Sequence, residues 1–371
     1  MKICFICTEI FAWNKYGGFG KATRIIGREL VKNNFEVAAV IPRRNGQKEF
    51  EILDGIKVFS FPNYNPFLAR KLFKECDADI YHSEEPSFGT FLAMKEMPHK
   101  IHLVTSRDPK LFKDWTIEFT HPSYNKIQVM ANYLYENNFL VKKSVRNAGR
   151  VFCAAKYLNV KVSKKYSLKD GVEFLPTPVE VPGKNIVKSD IPTVCFLARW
   201  DKRKNPEIFF RLVKSFPGIK FIAVGKGRND NYDNYLRKKY SGLKNLIMTG
   251  FINQFESDGI SEILEKSWIL VNTAKREGLP NSFLEALAYK CAILSSMNPE
   301  NVTGRFGYHV MDDNFKEGLL KLLEKDNWRI KGEQGQNYIK ENYELSSSIG
   351  QHIKIYQSLF NNNGRKHGIN N

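Results

Sequence analysis

A repeated alternation of short apolar runs and helical patterns constrains this chain more than any other feature. Ile3–Cys7 reads as a strand, and a glycine-rich turn, YGGFGK, opens a helix through Lys32. Phe35–Ile41 is apolar again, and similar runs recur at Asp79–His82, His102–Thr105 and Arg150–Ala154. Between residues 174 and 192 the pattern breaks at Pro176, Pro178, Pro182, Gly183 and Pro192. It then restarts with Thr193–Leu197, a helix near Pro206–Lys214, and strands Lys220–Val224, Leu246–Thr249, Ile269–Asn272 and Ala292–Ser295. Strands alternating with helices predict a parallel sheet covered on both faces. Two such series predict two doubly wound, Rossmann-like α/β domains, 1–180 and 181–346, joined by a Pro-rich hinge and facing across a cleft. The amphipathic stretch 347–360 is expected to be a helix that completes the first domain, and 361–371 a flexible tail. The 371 residues suit this division at about 150 residues per domain.

Composition narrows the class. With 42% hydrophobic and 13% aromatic residues the chain can build sizeable cores. No apolar run approaches the ~20 residues of a membrane-spanning helix. Glu9 interrupts the apolar start, and no cleavage site follows, so a secretory signal is not expected. Six cysteines scattered from Cys4 to Cys291 suit a reducing cytoplasm rather than a disulfide framework. The CxxC of Cys4 and Cys7 lies inside the first strand, where cysteine acts as a small hydrophobe, and no second CxxC completes a metal site.

The net charge is +18. Split at residue 180, the chain holds 28 basic and 19 acidic residues before and 29 and 20 after, an excess of +9 on each side. Residues 141–169 contain nine Lys or Arg and no Asp or Glu. That stretch reads either as a solvated helix face or as an attraction to an anionic membrane surface or acceptor. A nucleic-acid-binding protein would also be basic, but no helix-turn-helix, RRM or zinc-finger pattern is present.

In open parallel sheets ligands bind beyond the carboxyl ends of the strands, so the residues after each strand carry the chemistry. The richest segment is WILVNTAKREGLPNSFLEALAYKCAILSS, residues 268–296. Pro280 suits a first helical turn, and the N–H groups of Leu279–Ser282 would offer an anion or sugar-oxygen site at the helix start. Gly278 leaves room for close approach. Glu277 precedes that terminus and Glu285 follows eight positions on. After Thr193–Leu197 come Arg199 and Lys204, two cations suited to gripping a diphosphate; a solvated basic loop that includes Lys202 and Arg203 is the plainer reading. Glycine turns follow at Gly225–Gly227 and at Gly250, with Phe251 placed to meet a base. Gly17, Gly18 and Gly20 lie at the first helix start, with neither P-loop nor GxGxxG spacing.

This ordered set resembles the retaining GT-B glycosyltransferases of family four, the glycosyl transferases group 1. The matching motifs are the first glycine loop, the Arg-x4-Lys of Arg199 and Lys204, the turn at Gly225–Gly227, the Gly250–Phe251 pair and, most specific, the E-x7-E of Glu277 to Glu285. The likeness runs from residue 1 to about 360 and is loose in the first half. It implies a GT-B architecture and a retaining, hexosyltransferase-type enzyme that moves a sugar from a nucleotide-diphosphate-sugar to a hydroxyl acceptor, in surface glycan, lipopolysaccharide or glycolipid synthesis. Glu277, Arg199 and Lys204 would be catalytic. Gly17, Gly18, Gly225, Gly250, Phe251, Gly278, Leu279, Pro280, Asn281 and Glu285 would bind the donor. The resemblance also implies no metal and no cofactor beyond the nucleotide-sugar co-substrate, since the Arg–Lys pair supplies the positive charge. It suits a cytoplasmic protein, peripheral on the inner face of a membrane where the acceptor is lipid-linked.

There are departures from the family pattern. Where many relatives carry a histidine, the segment after the HLVT strand is Ser106-Arg107-Asp108. His82, Arg107 and Asp108 are therefore the acceptor-side candidates, with an Arg107–Asp108 charge pair as the structural alternative. Lys290 stands at the family's usual glycine after the E-x7-E helix, and Lys226 at a usually acidic position. A non-catalytic nucleotide-sugar-binding protein of the same fold and a sugar-nucleotide epimerase are the competing readings.

Overall fold

The computed structural model describes residues 1–123 and 125–368. These form two compact units: Met1–Leu111, Met130–Pro178 and Leu345–Asn371 make the first, and Phe112–Val129 with Val179–Glu344 the second.

The first unit is built on an eight-stranded sheet: β1 (Lys2–Ile6), β2 (Glu36–Pro42), β3 (Phe50–Leu53), β4 (Ile56–Phe61), β5 (Ile80–Ser83), β6 (Ile101–Ser106), β7 (Arg150–Cys153) and β8 (Glu173–Phe174). Its order is β3-β4-β2-β1-β5-β6-β7-β8, parallel except for the β3–β4 pair. Alternate residues of β1 feed opposite faces. Ile3 and Phe5 join one buried cluster, Cys4 and Ile6 another, as the two-residue strand period requires for a sheet covered on both sides. All six cysteines are free and buried.

The second unit has six strands, β9 (Thr193–Leu197), β10 (Lys220–Val224), β11 (Leu246–Gly250), β12 (Ile269–Asn272), β13 (Ala292–Ser295) and β14 (Gly307–His309), all parallel in the order β11-β10-β9-β12-β13-β14. Its core centres on aromatic residues, among them Trp268 stacked on Trp328 with centroids 4.3 Å apart.

Two expectations change. The segment Phe112–Val129 packs with the second unit rather than the first, because acids on its helix pair with arginines there. The closing helix runs over Leu345–Gly368, longer at both ends than 347–360, so residues 361–368 are helical rather than tail; 369–371 lie outside the described residues. This helix belongs to the first unit because Ile349 and Tyr356 are buried in that unit's core. The second unit holds the incoming chain by pairing Val179 with the Tyr343–Glu344 segment, where Val179 N–H donates to Tyr343 O at 2.8 Å. Lys188 then staples it by donating to the carbonyls of Leu264, Ser267 and Tyr289. Among the described residues no helix is long and apolar enough to cross a membrane.

Lys290 sits at φ +57°, in the left-handed region, where a residue with a Cβ is strained by about 1–2 kcal/mol. Glycine relieves the strain but adds unfolded-state entropy. Lys290→Gly should therefore raise stability by ~0.5–1 kcal/mol in a urea titration; a lowered midpoint would contradict this account.

Candidate functional site

The loops at the carboxyl ends of β11, β10, β9 and β12 are joined in sheet order by main-chain hydrogen bonds. Gly225 N–H donates to Gly250 O at 2.8 Å, and Trp200 N–H to Lys226 O at 3.1 Å. Lys275 N–H donates to Arg203 O at 2.9 Å. Gly225 has to be glycine twice over: its φ is +126°, and a Cβ would stand 2.0 Å from Ala198 O. Gly250 also has positive φ, +83°, but a Cβ there would meet nothing. Phe251 beside it is exposed. The turn is completed by Asp233, which accepts from Gly227 N–H at 2.6 Å and from Arg237 Nε at 2.8 Å, while Arg237 lies over the Trp200 ring.

The loop after β9 is shaped by its own side chains. Buried Asp201 accepts the Lys204 N–H at 3.0 Å, and Asn205 takes the left-handed φ of +49° that asparagine tolerates. The Thr273 hydroxyl, on the loop after β12, reaches the carbonyls of Lys204 and Asn205 at 2.8 and 2.9 Å. The stitching brings Lys204 and Glu277, 73 positions apart, into a direct ion pair. Burial pulls the Lys204 ammonium below the ordinary lysine range, and Glu277 offsets that loss only in part. Arg199, on the same loop, is more open, with Nε 3.8 Å from Asp201 Oδ2.

Glu277 leads through Gly278 and Leu279 to the helix Asn281–Ala288. Pro280 is its N-cap, one place earlier than expected, and no side chain caps this end. The first helical N–H groups belong to Asn281 and Ser282. Glu285 lies half-buried on the same helix.

Gly17 and Gly18 belong to the first unit and open the helix Gly18–Lys32. An internal carboxylate stands at that terminus: Gly20 N–H donates to Glu9 Oε1 at 3.1 Å, and a Cβ on Gly17 would lie 1.9 Å from the same oxygen. Gly17 is thus a glycine because Glu9 needs the space.

The acceptor-side candidates are placed differently from one another. His82 is fully buried and uses both ring nitrogens, Nδ1 with the Tyr356 hydroxyl at 2.7 Å and Nε2 with the Thr105 hydroxyl at 2.8 Å. The Arg107 guanidinium turns to Glu84 and to the Thr177 hydroxyl (2.8 Å), in place of the expected pair with Asp108. Asp108 is half-buried, and its N–H donates to Glu85 at 3.3 Å. Glu85, which the motifs did not flag, also accepts the Arg107 N–H at 2.7 Å, and burial raises it to about 7. Two further residues escaped the motifs: Asp114 and Glu118 on the Phe112–Thr120 helix pair with Arg276 and Arg203. No sequence signal points to these contacts across 85 to 162 positions.

Residues 180–345 match the family described as glycosyl transferases group 1. The chain is also 30% identical over 184 residues to an uncharacterized glycosyltransferase of Methanocaldococcus jannaschii, covering 45% of each chain. It thus spans about half the length of that curated relative. Among solved structures it is similar to the sucrose-phosphate synthase of Thermosynechococcus elongatus, with TM-score 0.76 and 14% identity over 97% of this chain and 99% of that one. It is similar too to Anabaena HepE in complex with UDP, with TM-score 0.73 and 11% identity over 96% and 100%. At these identities the likeness gives the fold, which is GT-B.

Burial lowers His82 to about 4 and His352 to about 3. Unfolded, both titrate near 6.5, so between about 6.5 and 4 the unfolded chain binds more protons. The stability they contribute is present above 6.5 and is lost as pH falls through that window. Glu85, raised to about 7, opposes this with a single proton. Urea midpoints should therefore drop from pH 7 to 5, and less steeply for His352→Gln; identical slopes for the two proteins would refute the assignment.

Proposed function

We propose that the protein is a retaining glycosyltransferase that moves a hexose from a nucleoside diphosphate sugar to a hydroxyl acceptor, without a metal ion. The reading is carried by the Lys204–Glu277 pair, a cation and a carboxylate on the loops of neighbouring strands, beside the N-terminus of the Asn281–Ala288 helix, which has no side-chain cap. A leaving diphosphate needs positive charge. Lys204 spends one ammonium donor on Glu277 and has two more to offer, Arg199 adds a guanidinium, and the first helical N–H groups supply donors that need no reorganisation. Glu277 faces the sugar hydroxyls and the positive charge that grows at the anomeric carbon. Glu285 takes the ribose hydroxyls. A donor phosphate oxygen accepts the acceptor proton on the face the leaving group vacates, so configuration is retained. That Anabaena HepE is solved with UDP-glucose supports a nucleotide-sugar of this kind.

The test combines binding with turnover. In a melting panel of UDP-, GDP- and ADP-sugars one base should stand out, since a ligand at 100 Kd adds about 2.7 kcal/mol. Glu277→Gln, which keeps the shape and removes the charge, should cut turnover about 10²–10³-fold with the fold intact. No stabilisation by any donor, or wild-type turnover in the variant, would overturn the reading.

The same proposal places the protein in the cytoplasm, peripheral on an anionic membrane that presents a lipid-linked acceptor. The basic stretch 141–169 supports this, as do the exposed apolar side chains of Met130, Leu134, Phe139 and Val160 in the same unit. The protein should sediment with anionic but not neutral vesicles at low salt and be released as salt rises; equal sedimentation with both would remove the membrane from the proposal.

A further inference from the structure

The Phe112–Thr120 helix comes from the first third of the chain yet packs in the second unit. Asp114 and Glu118 lie one turn apart on it and therefore share a face. Arg276 donates from Nε to Asp114 Oδ1 and from Nη1 to Glu118 Oε1, both at 3.1 Å. Arg203 Nη1 donates to the same Glu118 oxygen at 3.0 Å. Arg276 is 2% exposed. Arg203 directly precedes Lys204 in the chain, and Arg276 directly precedes Glu277.

We propose that Glu118 is a positioning residue for the donor site: by holding Arg203 and Arg276 on one carboxylate oxygen, it sets Lys204 and Glu277 against each other. The inference rests on the transfer reading and adds to it a residue outside every motif of the matched family segment, 180–345. The physical reason is competition for a carboxylate. Six cations, Arg199, Lys202, Arg203, Lys204, Lys275 and Arg276, come from two short loops that main-chain hydrogen bonds hold together. Glu277 lies on one of these loops and is already the partner of Lys204. With the Glu118 charge gone, Arg203 loses a counterion and Arg276 keeps only Asp114 of the two acids. Both guanidiniums can then turn to Glu277, with the planar fork that binds carboxylates better than an ammonium does. Lys204 would be displaced from the geometry in which it meets a diphosphate. Glu118 does this from outside the reaction, through the arginines.

The test uses the full chain and donor turnover with UDP-glucose, GDP-mannose and ADP-glucose as probes. With the donor that the wild type turns over, Glu118→Gln should lower kcat about 10–100-fold while KM changes less, because misplacement by about an ångström is paid mainly in the transition state. Glu118→Asp, which keeps the charge on a shorter stem, should recover part of the loss. In a Glu277→Gln background, Glu118→Gln should cost little more, since both act on one pair. Should Glu118→Gln not fold, Arg203→Lys, which keeps the charge and loses the fork, carries the same expectation. Wild-type kcat in folded Glu118→Gln, no recovery with Asp, or a full multiplicative loss in the Glu277→Gln background would overturn the proposal. A wild type that turns over none of the three donors would instead sink the transfer reading beneath it.

Discussion

A lysine and a glutamate withdrawn from water together are the constraint on which the candidate site depends. Either charge alone at a partly buried position would be less well compensated, so the pair favours these conformations of the two loops that carry it. The main chain prepares the meeting. Asp201 turns the first loop, Thr273 ties its carbonyls to the second, and the adjacency of β9 and β12 in the sheet puts both loops at one end. The pair does not form a sealed structural bridge, because it stands beside a helix start with no side-chain cap. Beside it, Asn281 and Ser282 carry the first helical N–H groups.

In the first unit the comparable position after β5 and β6 is closed. His82, Glu84 and Arg107 are buried with Thr177 and with His352 and Tyr356 of the last helix. Side chains that would read as acid–base candidates from their place after a strand serve there to tie three distant parts of the chain together. Burial keeps both histidines neutral at ordinary pH, which spares this core two unpaired charges. The group left at the surface side of the same strand ends is Glu85, whose carboxylate accepts two main-chain N–H groups and is still raised by burial.

Much of the fold was legible because the strands are nearly continuous apolar runs, the mark of sheets buried on both faces. The β3–β4 hairpin was not: Phe50–Leu53 has an edge strand's mixed burial and no helix after it. Lys290 takes a left-handed conformation that glycine adopts without strain, which nothing in a lysine's place in the sequence announces. At the site, the glycine turn at Gly225 could be read because only glycine fits there. Glu9 at the first helix start could not, since nothing in the spacing of a glycine loop says that an internal carboxylate fills it.

By itself the sequence determined which residues follow each strand, hence that Arg199, Lys204, Gly225, Gly250 and Glu277 lie at the carboxyl ends of one sheet. Periodicity is local, and it is enough to set strand direction and loop position. Only the tertiary structure decided the partners: that Lys204 meets Glu277, that Arg107 turns to Glu84, and that Glu118 holds two arginines of the second unit. Charge pairing is chosen by which groups share a low-dielectric space after folding, and separation along the chain carries no information about that.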